Sequence, residues 1–91
     1  SNPGTRVNLA LAYERLGRTA DARRVLEEVV RVDPQHAEAH YALGRVLEAM
    51  GDRAGAAGHF RIFLTFGASR FPQLDGPVRE RIRVLEETSS R

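Results

Sequence analysis

A chain of 91 residues, 42% hydrophobic and 29% charged, has room for one small globular domain and no second one. Its net charge of +2 sets fourteen basic residues against twelve carboxylates in the same segments, a mixed solvated surface and not the basic stripe that nucleic acid demands. With no cysteine there are no disulfides, thiolate metal sites or thiol nucleophiles, and with arginine as the sole basic residue type there is no Walker-type phosphate loop and no Schiff base. No apolar run is long enough to span a bilayer, so no membrane partner is expected.

Ser1-Asn2, without an initiator methionine, reads as the remnant of a cleaved tag on a piece of something longer. Residues 1–10 carry no secretory signal; the compartment stays open, the cytoplasm being favoured, since any targeting signal can have been left behind with the rest of the longer protein. Asn2-Pro3 is a good helix start, asparagine capping and proline filling the first turn. Val7, Leu9, Ala10, Tyr13 and Leu16 then recur at helical spacing until Gly17, which stops the helix by accepting a left-handed conformation. Thr19 is expected to cap a second helix bearing Ala22, Val25, Leu26, Val29, Val30 and Val32, ended by Asp33-Pro34. A third helix follows with Ala39, Leu43, Val46, Leu47 and Met50 before Gly51. Asp52 caps a fourth with Ala56, Phe60, Phe63, Leu64 and Phe66.

These four helices are two copies of one unit. Shifted by 34 residues, Leu9 falls on Leu43, Glu14 on Glu48, Gly17 on Gly51, Ala20 on Ala54 and Ala22 on Ala56. Leu16 falls on Met50, Leu26 on Phe60, Val29 on Phe63, Val30 on Leu64 and Val32 on Phe66. Continuing the register places Pro77 where a third copy needs its core leucine, so the repetition stops near residue 70. Gly67–Gly76 reads as an extended connector. A last helix over 77–88 has Val78, Ile82 and Leu85 on one face and Arg79, Arg83 and Glu86 largely opposite, as a terminal cap of a helical stack needs. Residues 89–91 are expected to fray.

The spacing resembles the tetratricopeptide repeat, W-x2-L-G-x2-Y, then A-x3-F, then P. Residues 3–36 match with Leu9, Ala10 for glycine, Tyr13, Ala22, Leu26 for phenylalanine, and Pro34. Residues 37–70 match with Leu43-Gly44, Leu47 for tyrosine, Ala56 and Phe60, and residues 71–88 form the connector and cap. Arg6 and His40 replace the tryptophan, and Ala68 replaces the proline. The small residues Ala10, Gly44, Ala22 and Ala56 let helices approach while large residues fill the gaps. The resemblance implies an all-α, right-handed solenoid of helical hairpins, about five helices in all.

Other constellations have plain readings. His36 and His40 have metal-compatible spacing but no third ligand at a fixed interval, so structural roles are expected. His59 has no nucleophile or carboxylate at triad spacing. Gly51, Gly55 and Gly58 follow no strand and make no phosphate cradle; Gly58 is expected to permit close helix contact. Glu27-Glu28 and Glu86-Glu87 diverge around their helices, and Arg23–Glu27, Arg24–Glu28 and Arg83–Glu87 are expected i,i+4 pairs. Phe60, Phe63 and Phe66 are at core spacing, and Ile62, off that stripe, is a candidate contact residue.

The resemblance implies a non-catalytic protein-interaction scaffold, without cofactor, whose first helices line a concave groove for a peptide or helix of a partner. The groove candidates are Asn8, Leu11, Glu14 and Arg15 from the first copy, and Tyr41, Arg45 and Glu48 from the second, with Val7 and Glu38 beside them. Tyr41 and Arg45, one turn apart, are of the types that dominate binding hot spots. Val7 and Leu11 are expected to be covered by an upstream repeat or, by self-association, by a second copy. The alternatives are an accessory, substrate-positioning domain of a larger enzyme and, third, arginine-mediated nucleic-acid binding.

Overall fold

The computed structural model describes residues 2–89, with side chains through Glu87. Five α-helices follow one another: α1 Pro3–Arg15, α2 Thr19–Val32, α3 Ala37–Ala49, α4 Arg53–Gly67 and α5 Pro72–Ser89. There is no strand among the described residues. The expected end fraying meets a still helical Ser89; residues 90 and 91 lie outside the described residues.

Local chemistry sets the helix ends. The Asn2 side chain accepts a hydrogen bond from the Gly4 amide at 2.7 Å, and Asp52 does the same for Gly55 at 2.9 Å. Gly17 and Gly51 close α1 and α3 at φ 77° and 86°, where a Cβ would be strained. Thr19 does not cap α2. It is the first helical residue, Arg18 occupies the cap position without a side-chain bond to the backbone, and Arg18 Nε instead donates to Asp21 at 2.8 Å.

The helices pack as α1 with α2, α3 with α4, and α5 against α4, with α3 also lying on α2 and α1. Two buried clusters result. The first joins Val7 and Ala10 of α1, Ala22, Leu26 and Val29 of α2, and Ala39, Ala42, Leu43 and Val46 of α3. The second joins Ala37 and Leu47 of α3, Ala56, Ala57, Phe60 and Phe63 of α4, and Val78, Ile82 and Leu85 of α5. Thus α3 is buried on two sides and ties the halves together.

Four expectations are corrected. Leu9, Leu16, Val32, Met50 and Phe66 are exposed. All but Leu9 stand in the last turn of a helix or at its cap. Gly58 lies against open space, so it serves no close contact; Gly44 does, since a Cβ there would come within 2.5 Å of the Phe60 ring. Arg24 pairs with Asp21, and Glu28 with Arg31, in place of an Arg24–Glu28 pair; Arg23–Glu27 and Arg83–Glu87 form at 3.8 and 2.7 Å. Finally, the segment read as an extended connector is helical from Pro72 onward. Pro72 starts the helix with no amide lost, and Pro77 is tolerated inside it because Gln73, whose carbonyl it leaves without a donor, is exposed to water.

Candidate functional site

The faces of α1 and α3 not consumed by the paired helices look onto α5, and the three enclose a groove. One part, about 460 Å³, is lined by Val7, Asn8 and Leu11 of α1, by Tyr41, Ala42 and Arg45 of α3, and by Phe71 and Leu74 at the start of α5, with His36 and Glu38 at its rim. A second part, about 570 Å³, continues along Glu14, Tyr41, Arg45, Glu48, Phe60, Val78 and Arg81. Six of the seven groove candidates (Asn8, Leu11, Glu14, Tyr41, Arg45 and Glu48) therefore share one concave surface. Arg15 does not join them: it is exposed at the last turn of α1, outside the lining of both parts.

Ion pairs cross the groove from helix to helix. Arg45 of α3 reaches Glu14 of α1 at 3.4 Å, Arg81 of α5 reaches Glu48 of α3 at 3.2 Å, and Arg70 reaches Glu38 at 3.5 Å. These pairs are solvent-exposed and add little to stability, but they fix a balanced, already-partnered rim around an apolar floor. Tyr41 is half-buried, its ring 5.2 Å from that of Phe63 and 5.8 Å from that of Phe60, so it is a floor residue held by the core beneath it. Phe71 and Leu74 supply the third wall. They escaped detection because the segment holding them looked extended; the signal that could have found them is Phe71-Pro72, a proline starting a helix two residues before an apolar Leu74.

The histidines have structural work. His36 caps α3, its Nδ1 accepting from the Ala39 amide at 3.2 Å. His40 is buried where the repeat pattern has tryptophan; its Nε2–H donates to the Pro34 carbonyl at 2.7 Å, which leaves Nδ1 bare to accept from His59 Nδ1–H at 2.9 Å. The two rings stack at 5.2 Å. Burial, then the neighbouring His40, hold the His59 imidazole below its ordinary value, while Glu27 and Asp52 pull the other way. Among the described residues no group of three or more His, Asp or Glu gathers as for a metal ion, and no helix is long and apolar enough to cross a membrane. Ile62 is half-buried on α4, away from the groove lining.

Val7 and Leu11, expected to await an upstream cover, belong to the α3 side instead. Val7 is buried in the first cluster and Leu11 packs against it, because α3 lies on that face of α1.

Comparison with known proteins agrees with the geometry. A stretch of 45 residues, half of the chain, is 44% identical to part of the cellulose synthase 2 operon protein C of Komagataeibacter xylinus. The chain spans only 3% of that relative's length. The tetratricopeptide repeat profile matches residues 7–71, which takes in the greater part of α1, all of α2 through α4 and the turn into α5. Five helices in paired packing, with two glycine-punctuated copies inside the matched span, lead to one conclusion: the chain belongs to the tetratricopeptide repeat family, a family of helical-hairpin solenoids that act as protein-interaction scaffolds.

Proposed function

We propose that the chain is a non-catalytic recognition module that takes an apolar-anchored peptide or short helix of a partner protein in the groove between α1, α3 and α5. The observation that carries this is the groove's construction: an apolar floor of Val7, Leu11, Tyr41, Ala42, Phe71 and Leu74, open to solvent and rimmed by opposed charges. An aromatic or aliphatic anchor inserted there is desolvated on three sides, the arrangement in which binding energy concentrates. In this reading residues 3–36 and 37–70 are the repeat units, and the helix after them is both cap and groove wall. The residues that would carry contact are Asn8, Leu11, Glu14, Tyr41, Arg45 and Glu48, together with Phe71 and Leu74; Arg15 is left out by its position.

The test is selection of a random peptide display library on the 91-residue chain, followed by affinity measurement with Leu11→Glu and Leu74→Glu variants. The selected peptides are expected to share a bulky apolar anchor and to lose about tenfold or more in affinity to either variant, a charge against a desolvated anchor being worth at least ~1.4 kcal/mol. Peptides that bind both folded variants as tightly as the unaltered chain would contradict the groove. The name of the Komagataeibacter relative ties that protein to a cellulose synthase operon, which favours as a second reading an accessory domain that positions substrate for an enzyme. Selection of soluble oligosaccharides and not peptides would support it.

A further inference from the structure

We infer that the outward face of α4 is a self-association surface, on which a second copy of the chain lays its own α4 in antiparallel. The two hairpins carry this face in two versions. On α2 the outward row at i, i+4 spacing is Ala20, Arg24, Glu28 and Val32; 34 residues later α4 has Ala54, Gly58, Ile62 and Phe66. Exposure agrees position by position, the third residue half-buried and the other three exposed. The chemistry does not agree. Arg24 and Glu28 are held in ion pairs with Asp21 and Arg31, a solvated surface, whereas the α4 row is uncharged throughout and ends in Phe66, 41% exposed.

Gly58 sharpens the contrast. A glycine in mid-helix weakens the helix, and a Cβ at this position would meet nothing within 4 Å outside its own helix backbone, so no contact inside the chain requires it. The space it leaves is open only to something outside, beside the apolar Ile62.

The occupant follows from the order of sizes. The row runs small, small, large, large, and reversed it is its own complement: in an antiparallel pair Phe66 of one copy lies over Ala54 of the other, and Ile62 over Gly58. Rows at i, i+4 spacing run alongside each other when two helices cross at about −50°, so the matching holds along the whole row. The contact is the same patch on both copies and closes as a dimer. The α2 row cannot take this part, since covering it would desolvate Arg24 and Glu28. Both flanks carry neutral ion pairs, Arg61 with Glu86 of α5 and, on α2, Arg23 with Glu27, so a like copy meets no net charge there and a strongly charged partner gains nothing. One helix face is smaller than the roughly 800 Å² per partner of a standard interface, so the dimer is weak, dissociating on the order of 0.1 mM.

The test is sedimentation equilibrium of the 91-residue chain from about 10 μM to about 1 mM, over which the mass is expected to rise from monomer towards dimer. Gly58→Arg with Ile62→Glu writes the α2 pattern onto α4 and is expected to leave a folded monomer throughout. Gly58→Arg alone, at a position open to solvent, is expected to weaken the dimer about tenfold or more. The chain has no cysteine, so Ala54→Cys can carry a single nitroxide. Mixed with isotope-labelled unaltered chain, it is expected to broaden amides near Phe66 of the labelled copy far more than those near Ala54. A chain still monomeric at the highest concentration, a dimer that Gly58→Arg leaves as tight, or broadening centred on Ala54 would each overturn the proposal.

Discussion

The two hairpins share their punctuation and differ in their packing. Gly17 and Gly51 turn the chain at nearly the same positive φ, and in both copies a buried alanine, Ala22 or Ala56, opens the second helix to its partner. Between them the interface is filled in opposite ways. The first hairpin sets Ala10 against a core containing Leu26; the second sets Gly44 directly under the Phe60 ring, where no Cβ fits. A methyl group has moved from one side of the interface to the other and grown into an aromatic ring. The lesson is that turn chemistry is local and conserved between copies, while core volume is kept by compensating pairs, and burial is decided by which helix lies next door.

The sharpest way to break this comparison is at the matched leucines. Leu43→Ala is expected to cost about 3 kcal/mol in urea denaturation, a buried leucine leaving a cavity between three helices, whereas Leu9→Ala should cost less than ~1 kcal/mol. Equal losses would refute the unequal burial of the two copies. Gly44→Ala is expected to cost about 1–3 kcal/mol by overpacking Phe60, and Phe60→Leu in the same chain should recover part of that loss, giving a favourable coupling in the double-mutant cycle. Additive losses would show that the pair is not complementary. Gly17→Ala and Gly51→Ala are expected to cost about 1 kcal/mol each, and nearly equally, since each forces a Cβ into the left-handed region with nothing else nearby to strike.

The smallest effect is a pH dependence centred on His59 of the second hairpin. The His59 imidazole is held below its ordinary value of 6.5, so the unfolded chain binds the proton first. The stability tied to its neutral form is complete above about pH 6.5 and falls as the pH drops below that value. Thermal midpoints measured from pH 8 to pH 5 should decline, and His59→Gln should flatten the decline. An unchanged slope in that variant would place the acid sensitivity elsewhere.

Much of this was legible in the chain, and the illegible parts have physical causes. Helix limits could be read from Asn2-Pro3, Gly17, Asp33-Pro34, Gly51 and Asp52 because caps and left-handed turns act over a few residues. The burial of Val78, Ile82 and Leu85 could be read from their common face. The exposure of Leu9 could not, since periodicity reports that a residue has an apolar face to share and is silent on whether a neighbour exists. The same limit hid the true side of Val7 and Leu11. Tyr41, Arg45 and Glu48 were recognisable as groove residues, but their partners Phe71 and Leu74 were not, because Pro72 and Pro77 disguised the first turns of α5 as a connector.

The groove account rests most directly on where a bound peptide touches the chain. A photo-crosslinking amino acid placed in turn at Leu11, Leu74, Ala20 and Thr65 samples two groove positions and two exposed positions on α2 and α4. Display-selected peptides are expected to be captured at positions 11 and 74 and not at 20 or 65. Capture at 20 or 65 with none at 11 or 74 would contradict the proposed function and move the binding surface to the opposite layer of helices.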